Sequence, residues 1–269
     1  MLGKPVAHSL SPVIHNAGYR AVGLGAWSYT AHECSESELP GFVAGLDERW
    51  AGLSLTMPLK ETGRGVADEV APVAAAIGAA NTLIRRPAGG WRAENTDAPG
   101  MVDALRGVGI AAVERMAILG AGGTARAALA AAADLGAGWV TVYARRAEAI
   151  AELSEVADAL GLELTGADWA DAAGATAADV VVSTVPTGVA DPLAESGDLR
   201  WRPDGVLFDA LYRPWPTPLA STALAQGVPV VSGLDLLLAQ AVRQFELFTG
   251  VVPAPVDAMR RALAAAMQS

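Results

Sequence analysis

The stretch Val113 to Arg146, VERMAILGAGGTARAALAAAADLGAGWVTVYARR, decides how this chain folds. Met116 to Leu119 is an apolar run of strand length, and it passes at once into the turn Gly120-Ala121-Gly122-Gly123-Thr124-Ala125. Ala125 to Leu135 is alanine-rich, has high helix propensity and stops at Gly136. Trp139 to Tyr143, β-branched and aromatic, reads as a second strand. The unit is therefore β-turn-α-β. In such a unit the first glycine makes the turn, the second lets backbone approach a pyrophosphate, and a small third residue, here Ala125, lets helix pack on strand. The helix N-terminus then presents free N–H groups and a positive dipole end to phosphate. A purely structural turn also calls for glycine. Set between a strand and a helix, the cluster reads instead as a nucleotide site, with Gly120 through Ala125 as its candidate residues.

The end of the second strand selects the nucleotide. A site for NAD places an Asp or Glu there to hold the ribose 2′-hydroxyl. This chain has Ala144-Arg145-Arg146. Arg forms charge-assisted, often bidentate bonds to phosphate oxygens, so the pair Arg145 and Arg146 points to a 2′-phosphate and to NADP.

Composition narrows the class further. A length of 269 residues accommodates two modest domains, and the 52% hydrophobic content comes largely from alanine, which suits a helix-rich soluble protein. No apolar run reaches the roughly 18 residues of a spanning helix. The start MLGKPVAHS has no apolar signal core, so a cytoplasmic protein is expected. A single cysteine, Cys34, excludes an intramolecular disulfide, and with only three histidines no metal site is expected. A net charge of −10 argues against nucleic acid as a partner.

Outside the central unit, Ser11 and Pro12 read as the N-cap and first residue of a helix over Val13 to Val22, closed by Gly23. Ser9 and Ser11 then stand at a loop-to-helix junction suited to a carboxylate. Trp27 to Glu33 alternates as a strand, and Ser37 to Leu46 reads as a short helix. Gly52 to Thr56 reads as a strand running into Met57-Pro58, with Lys60 just beyond. Val70 to Ile77 is helical, and Asn81 and Asp97 fall on loops flanking a hairpin of Leu83-Ile84 and Trp91 to Glu94. Pro99 to Gly107 leads by a helix into the central unit. From Met116 to Val231 strands and helices alternate, which implies a parallel, helix-covered sheet. Asp235 to Thr249 and Asp257 to Met267 are helices, and Gln240 and Gln244, four apart, share one face of the first.

Taken in order, the motifs GKPVAHSLSPVIHN (Gly3 to Asn16), SLTMPLK (Ser54 to Lys60), GAANTL (Gly78 to Leu83), ENTD (Glu94 to Asp97), GAGGTARA (Gly120 to Ala127), DALYRPWPTPL (Asp209 to Leu219) and SGLDLLLAQAVRQFELFTG (Ser232 to Gly250) resemble the shikimate dehydrogenase family over essentially the whole chain. The resemblance implies an α/β protein of two domains with a deep cleft between them. A substrate domain would cover residues 1–98 and a doubly wound Rossmann NADP domain 99–231, with C-terminal helices, 232–269, returning to the first. It implies that Ser9 and Ser11, helped by Tyr212, bind the substrate carboxylate, that Thr56, Asn81, Asp97 and Gln240 bind ring oxygens, and that Lys60 is catalytic. Thr184, Ala210 and Gly233 would border the nicotinamide. Ser54, Glu94, Ala144 and Ser183 depart from the family pattern, and Ala144 replaces an asparagine that usually precedes the 2′-phosphate arginine.

The implied reaction reduces the ketone of 3-dehydroshikimate to shikimate, using NADPH and one proton. Lys60 would stabilise the developing alkoxide and supply the proton, and Asp97 would orient Lys60. Use of quinate or aminoshikimate is the nearest alternative, and an NADP-binding sensor without activity is one of another class. The protein is expected to act on a small molecule as a monomer or homodimer.

Overall fold

The structure, a computed structural model, describes residues 1–268. It divides into two compact units, Met1–Gly100 together with the residues from Leu237 onward, and Met101–Leu236. The divisions fall inside helices, at 100/101 and 236/237, a few residues beyond the 98/99 and 231/232 that the sequence suggested.

The chain enters the first unit with β1 (Leu2–Gly3), α1 (Ser11–Ala21), β2 (His32–Glu33), α2 (Leu39–Ala44) and β3 (Gly52–Ser54). It continues with α3 (Thr62–Gly65), β4 (Glu69–Val70), α4 (Pro72–Ile77), β5 (Thr82–Arg85), β6 (Trp91–Glu94) and α5 (Asp97–Gly107), which carries it into the second unit. The sheet order is β3-β5-β6-β4, with β5 antiparallel to both neighbours and β4 parallel to β6. β1 and β2 form a parallel pair, and a bridge from Leu2 to Leu55 adds them beside β3. Leu2, Leu39, Leu59 and Leu83 have no exposed surface in the core beneath this sheet, a burial worth about 2 kcal/mol for each.

Three sequence expectations change here. Val70, expected to open a helix, pairs with Ala93 in β4, and α4 starts only at Pro72. Ser11 is the first residue of α1 and not its cap. Leu10 holds the cap position, and the Ser11 N–H is satisfied by the Ser9 hydroxyl oxygen at 3.2 Å. Trp27 to Glu33 shortens to the two residues of β2, because Tyr29 gives its N–H to the Asn16 side chain, whose amide in turn donates to the Tyr29 carbonyl, both at 2.9 Å. A side chain has replaced the strand ladder.

The second unit contains β7 (Arg115–Leu119), α6 (Gly123–Asp134), β8 (Trp139–Ala144), α7 (Ala147–Ala159), β9 (Glu163–Asp168) and a 3-10 segment at Trp169–Ala177. β10 (Val180–Ser183), α8 (Asp191–Glu195), β11 (Val206–Asp209), α9 (Pro218–Ala225) and β12 (Val230–Ser232) complete it. All strands are parallel in the order β12-β11-β10-β7-β8-β9, the doubly wound arrangement in which the direction of winding reverses between β7 and β10. β10 is buried at every residue, as expected of a strand covered by helices on both faces. On α6, residues 127–132 are all buried, and all but Leu129 are alanine; side chains this small let the helix lie close to the sheet.

α10 (Gly233–Thr249) and α11 (Val256–Gln268) bring the chain back to the first unit, where α11 packs along α1. Gly18 makes that contact possible. A Cβ there would lie 2.8 Å from the Phe245 ring and 3.3 Å from Met259.

Candidate active site

In the first unit the Lys60 ammonium donates to Asp97 Oδ2 at 2.6 Å, with the two side chains only 25% and 12% exposed. The backbone sets both ends of this pair. Thr56 accepts from the Leu59 N–H at 2.8 Å, and Lys60 accepts from the Ala80 N–H at 2.7 Å, so the turn after β3 is fixed beside the residue preceding Asn81. Asp97 is not on a loop, as the sequence suggested, but opens α5. The helix starts here because the Asn95 side chain accepts from the Ala98 N–H at 3.0 Å while donating to the Ala79 carbonyl at 3.1 Å. Asp97 in a first helical turn also feels the favourable dipole end.

A buried hydrogen-bonded network leads away from that pair. Asn81 Oδ1 accepts from the Thr96 N–H at 2.8 Å and from the Thr82 hydroxyl at 2.9 Å, and its amide nitrogen reaches Thr96 Oγ1 at 2.9 Å. Gln244 donates to Thr82 Oγ1 at 2.9 Å and accepts from the Ser54 hydroxyl at 2.8 Å, and Ser54 in turn accepts from the Tyr29 hydroxyl at 2.6 Å. Burial raises the pKa of the Tyr29 hydroxyl well above the usual tyrosine range. Behind it His15 stacks on the Tyr29 ring at 4.2 Å, fully buried, its pKa pushed down to about 3 chiefly by burial. The polar set therefore runs without a break from Tyr29 to Thr96, the neighbour of Asp97. Tyr29, Ser54, Thr82, Thr96 and Gln244 were not expected as site residues. The sequence signals among them were the motifs that contain Ser54, Thr82, Thr96 and Gln244 and the four-residue spacing of Gln240 and Gln244.

The expected residues of this unit divide by environment. Ser11, Asn81, Asp97 and Gln240 are buried, and Ser9, Thr56 and Lys60 are half-buried. Asn81 directs both ends of its amide to protein partners, and Gln240 turns back to donate to the Leu237 carbonyl at 2.8 Å. Gly100 lets the first turn of α5 approach Gln240, since a Cβ there would lie 2.9 Å from the Gln240 nitrogen.

In the second unit a cavity of about 440 Å³ opens at the carboxyl ends of the strands, lined by Gly120, Ala121, Ala144, Arg145, Arg146 and Thr184 among others. Gly120 has φ +100°, and a Cβ on it would meet Thr184 Oγ1 at 2.8 Å. Glycine is required there on both counts. Thr184 is held by its own N–H and hydroxyl, which donate to the Leu119 carbonyl at 2.9 and 3.0 Å. Gly122 and Gly123 have open space where a Cβ would stand, so the N-terminus of α6 is accessible to a ligand, while Ala125 is fully buried against the sheet. Thr124 is half-buried, and Arg145 and Arg146 are exposed at the cavity wall. Gly233 opens α10, and a Cβ on it would clash with the Ala210 carbonyl. The loop that holds Ala210 and the half-buried Tyr212 is tied to β11 through Asp209, which accepts from the Thr217 hydroxyl at 2.6 Å and the Leu211 N–H at 3.1 Å. A glycine turn, an accessible helix N-terminus and two arginines around one cavity fit a dinucleotide with a 2′-phosphate.

A Rossmann nucleotide domain, carried on the same chain as a domain holding a lysine–carboxylate pair, defines a dinucleotide-dependent oxidoreductase. The family model "Shikimate dehydrogenase substrate binding domain" matches residues 1–83, and "Shikimate 5'-dehydrogenase C-terminal domain" matches residues 233–264. Shikimate dehydrogenase (NADP(+)) of Anaeromyxobacter sp. (strain K) is 40% identical over 98% of this chain and 95% of its own length. The shikimate dehydrogenase structure from Mycobacterium tuberculosis is 46% identical, with a TM-score of 0.89 over 98% of this chain and 97% of that one. The shikimate 5-dehydrogenase structure from Thermus thermophilus, in complex with NADP(H) and shikimate, is 33% identical with a TM-score of 0.83, over 98% of this chain and 97% of that one. The chain belongs to the shikimate dehydrogenase family.

Proposed function

We propose that this protein catalyses the reversible NADPH-dependent reduction of 3-dehydroshikimate to shikimate, a step in aromatic amino acid biosynthesis. The observation that carries the reading is the Lys60–Asp97 pair at 2.6 Å, set at the end of a buried polar network. When bound, NADPH supplies a hydride from C4 of its nicotinamide. Gly120 to Ala125 would hold its pyrophosphate and Arg145 and Arg146 its 2′-phosphate, with Thr184, Ala210 and Gly233 beside the nicotinamide. Lys60 stabilises negative charge on the carbonyl oxygen and delivers a proton to it. Asp97 fixes the Lys60 ammonium and accepts from a neighbouring substrate hydroxyl. Ser9 and Ser11, helped by Tyr212, take the carboxylate, and Thr56, Asn81 and Gln240 border the ring oxygens. The net charge of −10 supports a small-molecule substrate over nucleic acid, and among the described residues no helix is long and apolar enough to cross a membrane. We assign it to the cytoplasm, as a monomer or homodimer.

The test is dinucleotide reduction followed with shikimate, quinate and aminoshikimate in parallel, each with NADP and with NAD. Turnover with shikimate and NADP alone is the expected result. Preference for quinate or for NAD would overturn the reading of Ser9, Ser11 and Arg145, and binding of NADP without turnover of any substrate would make the protein a sensor.

A further inference from the structure

We propose that Trp169 is the stacking platform for the adenine ring of the dinucleotide, and that it supplies the base-dependent part of cofactor affinity. The proposal rests on the nucleotide reading above. β8 and β9 run in parallel register to their last pair, Ala144 with Asp168. The next residues, Arg145 and Trp169, thus leave neighbouring strands side by side at the carboxyl edge of the sheet. Asp168 fixes the exit, because its side chain accepts from the Ala170 N–H at 2.8 Å and turns the chain into the 3-10 segment that Trp169 begins.

Trp169 is half-buried and touches two environments. It packs against the buried cluster that includes Leu119, Tyr143 and Ala172, and it also lines the 440 Å³ cavity together with Gly120, Arg145 and Arg146. Packing accounts for the first contact alone. A residue needed only to cover the core has no reason to present an indole to the cavity that holds the glycine turn and the arginine pair.

Among the described residues Trp169 is the one aromatic ring on the cavity wall, where Ala149, Val185, Pro186 and Val189 offer only aliphatic contact. Arg145 and Arg146 are suited to phosphate, and Ala144, at the strand end between them and Gly120, has no side-chain donor for a ring nitrogen. A purine offers a flat π face, and stacking on an aromatic side chain needs no hydrogen-bond partner. The sheet order also suits the placement, since β8 and β9 lie on the side of β7 away from the β7–β10 switch point. A dinucleotide with its pyrophosphate at the β7 turn and its nicotinamide near Thr184 extends its adenosine toward them.

Calorimetric titration of the full chain with adenosine 2′,5′-bisphosphate, which is the adenosine half of NADP, isolates this contact. Trp169→Leu, which keeps bulk but removes the ring, is expected to weaken binding about ten-fold and to raise the KM for NADPH by a similar factor, leaving kcat and the KM for shikimate unchanged. Trp169→Phe is expected to retain most of the affinity. Equal binding by wild type and Trp169→Leu, or equal loss in the Leu and Phe variants, would overturn the proposal. If the wild type itself fails to bind the bisphosphate, the NADP reading falls first and carries this one with it.

Discussion

Lys60 and Asp97 are 37 residues apart in the chain and 2.6 Å apart in space. Their bond is charge-assisted, and removing the ammonium takes away both the proton donor and the stabilisation of developing negative charge. Lys60→Ala should therefore lower kcat by about 100-fold or more with little change in the substrate dissociation constant, as single-turnover and binding measurements would reveal. Near-normal turnover would end the case for a catalytic lysine. Arg145 acts at another site on another ligand. Arg145→Ala should raise the KM for NADPH at least about ten-fold while barely changing that for NADH, because only the former has a 2′-phosphate to lose. Equal effects on the two cofactors would place the phosphate elsewhere.

Among the elements, α10 ties distant pieces of the substrate-binding unit together. Gln244 on this helix bonds the Ser54 hydroxyl at the end of β3 and the Thr82 hydroxyl at the head of β5, and it is 1% exposed. Gln244→Ala leaves those buried groups short of partners, at a cost of about 1–3 kcal/mol for each one left unsatisfied. Urea denaturation should show a stability loss of that order, accompanied by a lower kcat/KM because the Asn81–Thr96 bonds lose their support. Full stability in the variant would mean that the network repairs itself around the gap. The glycines at element ends act more locally. Gly120 is held by its left-handed φ and by Thr184, whereas Gly122 and Gly123 are open and kept small for an approaching ligand.

For the molecule as a whole, the buried His15 couples stability to pH. Neither ring nitrogen makes a hydrogen bond of regular geometry, and the Gln244 amide only partly offsets the burial that drives the pKa from 6.5 to about 3. In the unfolded chain His15 takes up a proton below about pH 6.5, while in the folded protein it stays neutral until about pH 3. The unfolded state thus binds more protons across that window. The stabilising contribution is present in full above the unfolded value and is lost as pH falls, by up to about 1.4 kcal/mol per pH unit. His15→Leu should flatten the dependence of the urea midpoint on pH between about 6.5 and 5. An unchanged slope would assign the effect to other groups.

The sequence by itself determined the nucleotide-binding half of this protein. Its signals are local: an apolar strand, a glycine turn, a small-residue helix and a pair of arginines all lie between Val113 and Arg146, and short-range sterics and dipoles dictate their conformation. The inner strands β7, β10 and β11 were legible for the same reason, since parallel strands buried on both faces read as unbroken apolar runs, whereas the exposed edge strand β9, Glu163–Asp168, carries no such run. Ordered motifs also made the family legible. Tertiary structure alone decided the rest. The true extent of Trp27 to Glu33 depended on a side chain from α1, and Asp97 became a helix start because Asn95 caps it. The network from Tyr29 through Ser54 and Gln244 to Thr96 joins residues as far as 190 positions apart, each of a kind that is ordinary on a protein surface. Burial makes such groups partners, and burial is a property of the folded chain that no single segment encodes.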